Sequence, residues 1–566
     1  MRTSAQKFVS RRQLFRAVGG AAAVSRLALA RELNADIAVI GGGVGGCAAA
    51  LAAARNGMRV IITEETDWIG GQLTSQAVPP DEHAWIESFG CTRAYRDYRD
   101  RVRDYYRRNY PLTEEARHRR DLNPGNGRVS RLTHEPLVSL AVLEEMLAPY
   151  VSGGRVTVLL RHKPVAADLA GDSIRAVTMR DLATGRDRTL FASYFLDATE
   201  QGDLLPLAHI EYVIGSESAK ETGEPHAPAE ARPVNIQAFT YCFAMDYIPG
   251  EDHRIEKPAE YDFWRNYVPA LEPAWSGKLL SWTVGDPIEE APHTHAFDPE
   301  YDAHHADGGL WLYRRIADRR NFTPGAYPSD ICLVNWPQND YWLGNICEVS
   351  ETEAARHRAR AKQLSLSLLY WMQTEAPRAN NAAGWPGLRL RPDITGTEDG
   401  LARHPYIRES RRIRAEFTVI EQHVGTDARR QLTGKKDDEL AAAHFEDSVG
   451  IGSYRIDLHP ASGGQNYIDI SSLPFEIPMG ALIPRRIENV LASAKNLGVT
   501  HITNGCYRLH PVEWNIGESA GLLATRAVQT KTAPRRIRVN EKMRKEFQVW
   551  IQAQGVEIAW PRLAPR

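Results

Sequence analysis

Asp36-Ile37-Ala38-Val39-Ile40-Gly41-Gly42-Gly43-Val44-Gly45-Gly46 decides the fold. The apolar run ending at Ile40 suits a strand buried on both faces of a parallel sheet. The glycines match GxGxxG at Gly41, Gly43 and Gly46. An Ala-rich helix is predicted from about Gly45 to Asn56, where Gly57 can stop it. A second strand, Arg59 to Thr63, ends at Glu64, 23 residues after Gly41. Strand, glycine turn, helix, strand and terminal acid in register make a dinucleotide-binding βαβ unit. The first glycine makes the tight turn, the second lets the backbone approach a pyrophosphate, and the third lets helix and strand pack closely. The helix N-terminus offers N–H groups and a positive dipole to phosphate. Glu64 should bind ribose hydroxyls, and a carboxylate there disfavours a 2′-phosphate.

Upstream, residues 1–30 carry Arg2, Lys7, Arg11, Arg12, Arg16 and Arg26 and no acid. Ser10-Arg11-Arg12-Gln13-Leu14-Phe15-Arg16 looks like a twin-arginine export motif. A weakly apolar run follows to Ala28-Leu29-Ala30, which has small residues where a signal peptidase cuts. Arg26 inside the apolar part counts against export, and an ordinary basic tail is the competing reading. The expectation is a bacterial protein, periplasmic or secreted, whose partners include the twin-arginine machinery. That route carries folded proteins, often with cofactor in place, so the fold should not depend on disulfides.

The whole chain has 566 residues, 43% apolar and 25% charged, which is ordinary globular usage. Its length suits three to four units of about 150 residues, or two large ones. The balance of 69 basic against 71 acidic residues excludes a dedicated nucleic-acid binder. All six basic residues of the first 30 would leave with the signal, so the working protein would be distinctly acidic. No other stretch is apolar for the roughly 18 or more residues of a membrane span. Cys47, Cys91, Cys242, Cys332, Cys347 and Cys506 lack CxxC spacing, so no zinc site, iron–sulfur path or dithiol relay is expected. His293, His295, His304 and His305 lack helical ligand spacing, and no metal is expected. The Arg/Tyr/Asp run from Thr92 to Tyr110 interleaves its charges at helical spacing and reads as a solvated amphipathic helix.

Three further stretches extend the site. Trp68-Ile69-Gly70-Gly71-Gln72-Leu73-Thr74 follows the acid, and its glycines would let the chain pass close to a flat ligand. Val156 to Asp197 reads as a strand, a meander and a last strand, running into Asp197-Ala198-Thr199-Glu200-Gln201-Gly202-Asp203-Leu204-Leu205. Glu488 to Asn496 precedes Ile516-Gly517-Glu518-Ser519-Ala520-Gly521, which is predicted to open a last apolar helix.

With these motifs the chain resembles the FAD-dependent oxidoreductases of the glutathione-reductase-type fold, in the branch similar to fumarate reductase flavoproteins. It is most similar to an often exported bacterial group with WIGGQLT, DATE-GDLLPLA, PYIRESRRI and EIPxGALIP signatures. The resemblance covers essentially everything after residue 33. It implies an α/β fold, a Rossmann-like FAD-binding domain with a large inserted α+β substrate domain. Residues 33–215 and 475–530 would form the discontinuous FAD domain, 216–474 the cap, and 531–566 a helical tail with an amphipathic helix near Val539–Gln554. By resemblance, Gly41, Gly43, Val44, Gly45 and Gly46 would cradle the FAD pyrophosphate and Glu64 the adenosine ribose. Gly70, Gly71, Gln72 and Leu73 would run beside the ribityl chain and isoalloxazine, and Val165 would offer its backbone to adenine. Asp197, Ala198 and Thr199 would lie near the pyrophosphate, although the family often has Ala-Thr-Gly where this chain has Ala198-Thr199-Glu200. Ile516, Gly517, Glu518 and Ser519 would place a helix N-terminus against the flavin pyrimidine.

For substrate, Asn335-Trp336-Pro337-Gln338-Asn339-Asp340-Tyr341-Trp342 mixes amides and rings, which suits a polar small molecule held by Trp336 and Asn339. The same stretch also reads as a loop packed by its own aromatics. The Arg and Glu of Pro405-Tyr406-Ile407-Arg408-Glu409-Ser410-Arg411-Arg412-Ile413 could clamp an anionic or polyhydroxylated substrate, Arg408 first among them, or form an inter-domain salt-bridge network holding the cap to the FAD domain. Flavin oxidation of a C–H bond also needs a proton acceptor. Tyr454 to His459 alternates, so Asp457 and His459 would share a strand face. Thr500 to Pro511 should pass near the isoalloxazine. The candidates are His501 and Arg508, then His459 and His510, with Asn504 as a hydrogen-bond partner. The leading expectation is oxidation of an alcohol or amine carbon, with electrons leaving to dioxygen, a quinone or a soluble carrier. A C=C reductase and a flavin-binding accessory protein are the alternatives. For export, Arg11→Lys with Arg12→Lys should trap the precursor in the cytoplasm; unchanged periplasmic appearance on cell fractionation would defeat that expectation.

Overall fold

The computed structural model describes residues 32–285, 291–301, 308–379, 381–436 and 439–561. The basic segment 1–30, His304 and His305 lie outside these residues. Strand β1 is Glu32–Asn34 and β2 is Ile37–Ile40, every residue of the latter buried. β2 runs parallel to β3 (Val60–Glu64) on one side and to the strand Tyr194–Asp197 on the other. Strand β4 (Val156–Leu160) extends the sheet beyond β3. Next come β5 (His162–Ala170), β6 (Ser173–Asp181) and β7 (Asp187–Phe191), then β8, which is Tyr194–Asp197. β5, β6 and β7 form the expected meander, and β1 pairs with β7 to complete a second, four-stranded sheet.

Helix α1 (Val44–Arg55) is buried from Val44 to Ala54, which explains its alanines: larger side chains would hold its neighbours away. α2 (Arg93–Asn109) is capped by Thr92, whose Oγ1 accepts the Tyr95 N–H at 3.2 Å. It is amphipathic as expected, with Tyr95, Tyr98, Val102 and Tyr106 buried, but it is not merely solvated. Arg99 and Arg103 are also buried, paired with Glu82 and Glu87 from the preceding loop. α3 (Pro136–Ser152) precedes β4.

The insertion has its own aromatic core, running from Ala238 to Leu401. Its antiparallel sheet contains β9 (Phe243–Tyr247), β10 (Arg315–Ala317) and β11 (Ile331–Val334). Helix α4 (Glu351–Thr374) follows, and β12 (Leu388–Leu390) pairs with β9. Within the stretch 216–474, Ile413, Ala415, Val424, Val449, Ile456 and Leu458 are buried in the main core, as are Ala244, Ile331 and Leu333 of the cap sheet. There β13 (Ile456–Leu458) pairs with β14 (Ile468–Ile470). β15 (Val490–Ala492) then joins β8, closing the five-stranded parallel order β15-β8-β2-β3-β4.

The C-terminal elements are α5 (His501–Tyr507), α6 (His510–Thr530), α7 (Pro534–Val539) and α8 (Glu541–Ala553). α8 matches the expected amphipathic tail and buries Phe547 and Ile551. All six cysteines are buried and free. Among the described residues no helix is long and apolar enough to cross a membrane, and no cluster of metal-ligating side chains occurs.

α6 does not begin at Ile516, as expected, but at His510. Ile516, Gly517, Glu518 and Ser519 therefore lie inside the helix and serve packing. A Cβ on Gly517 would stand 2.0 Å from the Gly45 carbonyl oxygen, and one on Gly521 2.5 Å from that of Ala49. Glu518 pairs with Arg55, and Ser519 donates to the Val449 carbonyl at 2.6 Å. Gly517→Ala should therefore cost about 1–3 kcal/mol or more by overpacking, read by urea denaturation of the flavin-free protein. An unchanged midpoint would refute this backbone contact.

Candidate active site

The glycine turn joins β2 to α1 where β3 and β8 also end. Gly41 has φ +103°, and a Cβ there would lie 2.2 Å from the Ala198 carbonyl oxygen, so only glycine serves. A narrow cleft runs past the turn, and Gly41, Gly43, Glu64, Gly71, Ala198 and Thr199 line it. The structure thus brings together residues from three separate motifs. Glu64 accepts the Gly42 N–H at 3.1 Å and both the N–H and hydroxyl of Thr66 at 2.8 Å. Burial nevertheless pushes its carboxyl up to about 7, against the Thr66 hydrogen bonds that hold it down. Asp197 holds Thr199 by N–H and hydroxyl, at 3.1 and 2.7 Å, and burial raises it to about 7 as well.

The Gly70–Leu73 strip is tied to the turn by the Gly70 N–H, which donates to the Gly42 carbonyl at 2.7 Å. Gly71 approaches so closely that a Cβ there would lie 2.9 Å from the Gly43 Cα. Leu73 is buried. Val165 sits at a β-bulge, where the β5–β6 register shifts between Pro164 and Ala166. Its backbone is thus outside the regular ladder, next to Pro164 and His162 on the cleft wall. Val44 and Gly45 open α1, whose N-cap Gly43 offers no side chain, and Gly46 packs against the Gly41 carbonyl. The Gly45 N–H reaches Glu513 Oε1 at 3.5 Å. The Gln72 Oε1 and the Asp197 Oδ2 are buried without hydrogen-bond partners. A glycine-lined turn at a helix N-terminus, followed by unbonded polar atoms, fits a dinucleotide with its phosphates at the turn and its far end beside Gln72.

Beyond Gln72 lies a buried charge network. The Gln72 amide donates to the Arg508 carbonyl at 3.0 Å. Arg508 donates to the Tyr406 hydroxyl at 2.8 Å and to Asp457 Oδ2 at 3.0 Å. His459, just past β13, has Nδ1 2.6 Å from Asp340 Oδ2 and Nε2 3.4 Å from Asp457 Oδ2. Asp457 and His459 do share a face, as the alternation predicted. Asn504 accepts from the Gln237 amide at 3.0 Å, and Gln237 accepts the His459 N–H at 3.2 Å. The Gln237 N–H in turn donates to Glu409, which holds His501 Nδ1 at 2.9 Å. Burial works against ionising Asp340, but Arg408 and His459 outweigh it and leave the carboxyl at about 2. Glu409 is held at about 2 in the same way, by His501 and Arg412. Asp457 lies well below the usual carboxylate range because His459 and Arg508 outweigh its burial.

Four expected site residues take other parts. His510 Nδ1 accepts the Asp81 N–H at 3.1 Å, leaving Nε2 to donate to the Val78 carbonyl at 3.2 Å. Both ring nitrogens are committed to backbone, so His510 anchors the start of α6 and is not a proton acceptor. Trp336 is buried in the cap core against Phe297. Asn339 accepts the Trp336 N–H at 2.9 Å and donates to the Tyr241 carbonyl at 3.3 Å, closing the loop. The reading of a loop packed by its own aromatics is the one observed. Arg408 is 1% exposed and donates to Ala238, Thr240 and Asn335 while pairing with Asp340 at 3.0 Å. Arg411 and Arg412 likewise pair with Asp203, Glu348, Glu217 and Glu409. The PYIRESRRI stretch forms a salt-bridge network, and Arg408 is committed to Asp340 and its neighbours. Asp340, Gln237 and Tyr406 were not singled out in the sequence. Asp340 and Tyr406 lie inside the two quoted stretches, and that position was their only signal.

Comparison with known proteins follows this geometry. No curated protein matched the chain. Among solved structures, it resembles an Escherichia coli quinol fumarate reductase FrdA variant at 11% identity, over 93% of this chain and 74% of that one, with TM-score 0.34. Mycobacterium smegmatis Sdh1 matches at 11% identity, over 88% and 69%, with TM-score 0.30. L-proline dehydrogenase from P. horikoshii matches at 15% identity over 33% of this chain, with TM-score 0.17, and the match spans 24% of that protein's length. The sequence model of the FAD dependent oxidoreductase family matches residues 36–547, from the first strand of the βαβ unit to α8. The cofactor is FAD, and the cradle above is where the residues fit it. Gly43→Asp puts a carboxylate into that cradle and should yield colourless protein by absorbance; retained stoichiometric FAD would sink the assignment. The chain belongs to the FAD-dependent oxidoreductase family and is an oxidoreductase.

Proposed function

We propose that the enzyme oxidises an alcohol or amine carbon of a polar organic substrate, with hydride passing to flavin N5 and the hydroxyl or amine proton to His459. The observation that carries this reading is the His459–Asp457–Arg508 cluster, linked through the Arg508 carbonyl to Gln72 on the flavin strip. Bound FAD supplies a two-electron acceptor. The protein supplies orientation and a proton acceptor. Asp340 holds His459 by Nδ1, which fixes the ring, while Nε2 stands 3.4 Å from Asp457 Oδ2, a contact that a substrate hydroxyl or amine would have to replace. The side chains of His459 and Asp457 are 17% and 22% exposed, whereas those of Arg508 and His501 are 2% exposed. His459 is thus the histidine of the network that a substrate from solvent can reach. His501 stays sealed behind Glu409 and acts in positioning. The polar walls, with carboxylates and Arg508 side by side, favour a substrate carrying hydroxyl or amine groups.

The same reading places the working enzyme outside the cytoplasm, supported by the basic, acid-free N-terminal segment. Dioxygen, a quinone or a soluble carrier would take the electrons.

The experiment is an anaerobic panel of alcohols and amines, with flavin absorbance as the readout. Bleaching by a member of the panel supports oxidation. Reoxidation of chemically reduced flavin by an unsaturated acid, with no bleaching by the panel, would replace it with a C=C reductase. With a bleaching substrate in hand, His459→Gln should keep its FAD and slow single-turnover flavin reduction by about 10²–10⁴-fold. A rate unchanged by that substitution would remove His459 from the chemistry.

A further inference from the structure

The phosphate cradle already contains a carboxylate. Glu200 stands where the resembling sequences often carry glycine. Its Oε1 lies 2.8 Å from the position a Gly43 Cβ would take and 2.6 Å from that of Gly71. That is the space between the glycine turn and the Gly70–Leu73 strip, where the cradle faces the cofactor. Burial works against ionising Glu200, but Lys495 and the amide of Gln76, a residue 0% exposed, outweigh it and hold the carboxyl below its usual value. The other carboxylate oxygen, Oε2, pairs with Lys495, whose side chain is 1% exposed. Lys495 Nζ also lies 3.9 Å from Glu513 Oε2, on the first turn of α6. One ammonium thus serves two carboxylates, and Glu64 adds a third acid on the same cleft.

A diphosphate cannot join this set without relief. It would bring further negative charge against Glu200 in a space that Glu200 already fills, and like charges in contact cost several kcal/mol. Glu513 is already pushed up to about 7, by burial and by Glu200, although Lys495 pulls it down.

We propose that Glu200 is a built-in occupant of the phosphate cradle, which the FAD diphosphate displaces, inheriting Lys495 as its counter-ion. In the flavin-free chain the carboxylate fills the space beside Gly43 and Gly71 and pairs with Lys495. Its side chain is 17% exposed, so it has a way out toward the cleft wall at His404 and Asp203. The arrangement trades affinity for selectivity: a ligand must bring enough phosphate charge to compete for Lys495.

The test is FAD titration of flavin-free protein, followed by quenching of flavin fluorescence. If the occupied state holds about 90% of the flavin-free molecules, removing the competitor should tighten FAD binding about tenfold. Glu200→Gln should show that gain, and Lys495→Gln should weaken binding by a similar factor. Inorganic pyrophosphate, as a flavin-free probe, should raise the melting temperature of Glu200→Gln more than that of the parent protein. If Glu200→Gln does not give folded flavin-free protein, Glu200→Asp, which withdraws the carboxylate from the glycines, should bind FAD more tightly in its place. Unchanged or weaker FAD binding by the folded variant would overturn the proposal and leave Glu200–Lys495 as a structural ion pair.

Discussion

The rest of the structure depends on one backbone contact. At Gly45 the first helix meets α6 and the segment after β15 with no side chain between them. A Cβ on Gly45 would stand 1.9 Å from the Ser493 carbonyl oxygen, and one on Gly517 2.0 Å from that of Gly45. Parts of the chain more than 440 residues apart therefore touch through bare peptide. That approach brings Lys495 and Glu513 to the glycine turn and sets the cradle's depth. It also explains why α1 is rich in alanine and buried from Val44 to Ala54, since larger residues at the contact would lever α6 away.

From that contact the site extends in two directions. Toward Glu64 and Val165 the walls are backbone and strand ends, suited to a ligand held by geometry. Toward Arg508 they become a network of buried ions. Each of its arginines has a carboxylate partner: Arg408 with Asp340, Arg412 with Glu409, Arg508 with Asp457. Burying such charges is costly unless each is paired and hydrogen-bonded, and breaking one pair leaves an uncompensated ion. The network thus joins Asp340 and Glu409 to Asp457, His459 and His501 through paired charges. The cap is a second core rather than a lid of loops, because its tryptophans pack on one another and on α4.

Much of the fold was legible in the sequence because its signals are local. Positive-φ glycines, the apolar run of β2 and the acid ending β3 lie within about thirty residues and read directly as a βαβ unit. The meander before β8 and the tail helix follow from alternation and amphipathic period in the same way. The start of α6 was misplaced because Gly517 and Gly521 look like a phosphate turn when they are a packing stripe. Nothing local distinguishes a glycine required by a ligand from one required by another helix.

The sequence by itself determined a βαβ unit with its glycine turn at Gly41–Gly46, an acid, Glu64, ending the second strand of that unit, and a shared face for Asp457 and His459. Only the tertiary structure decided which histidine is reachable and which acids hold it. Asp340 and His459 are 119 positions apart, Glu409 and His501 are 92, and Gln72 and Glu513 are 441. Residue spacing fixes neighbours along a strand or helix, where the backbone period is known. It carries no information on which distant carboxylate a ring nitrogen meets, because that depends on how the cap core and the α1–α6 contact set the angle between domains. The same limit applies to Glu200. Its place in the chain marks a departure from glycine, and the space between Gly43 and Gly71 shows what the departure fills.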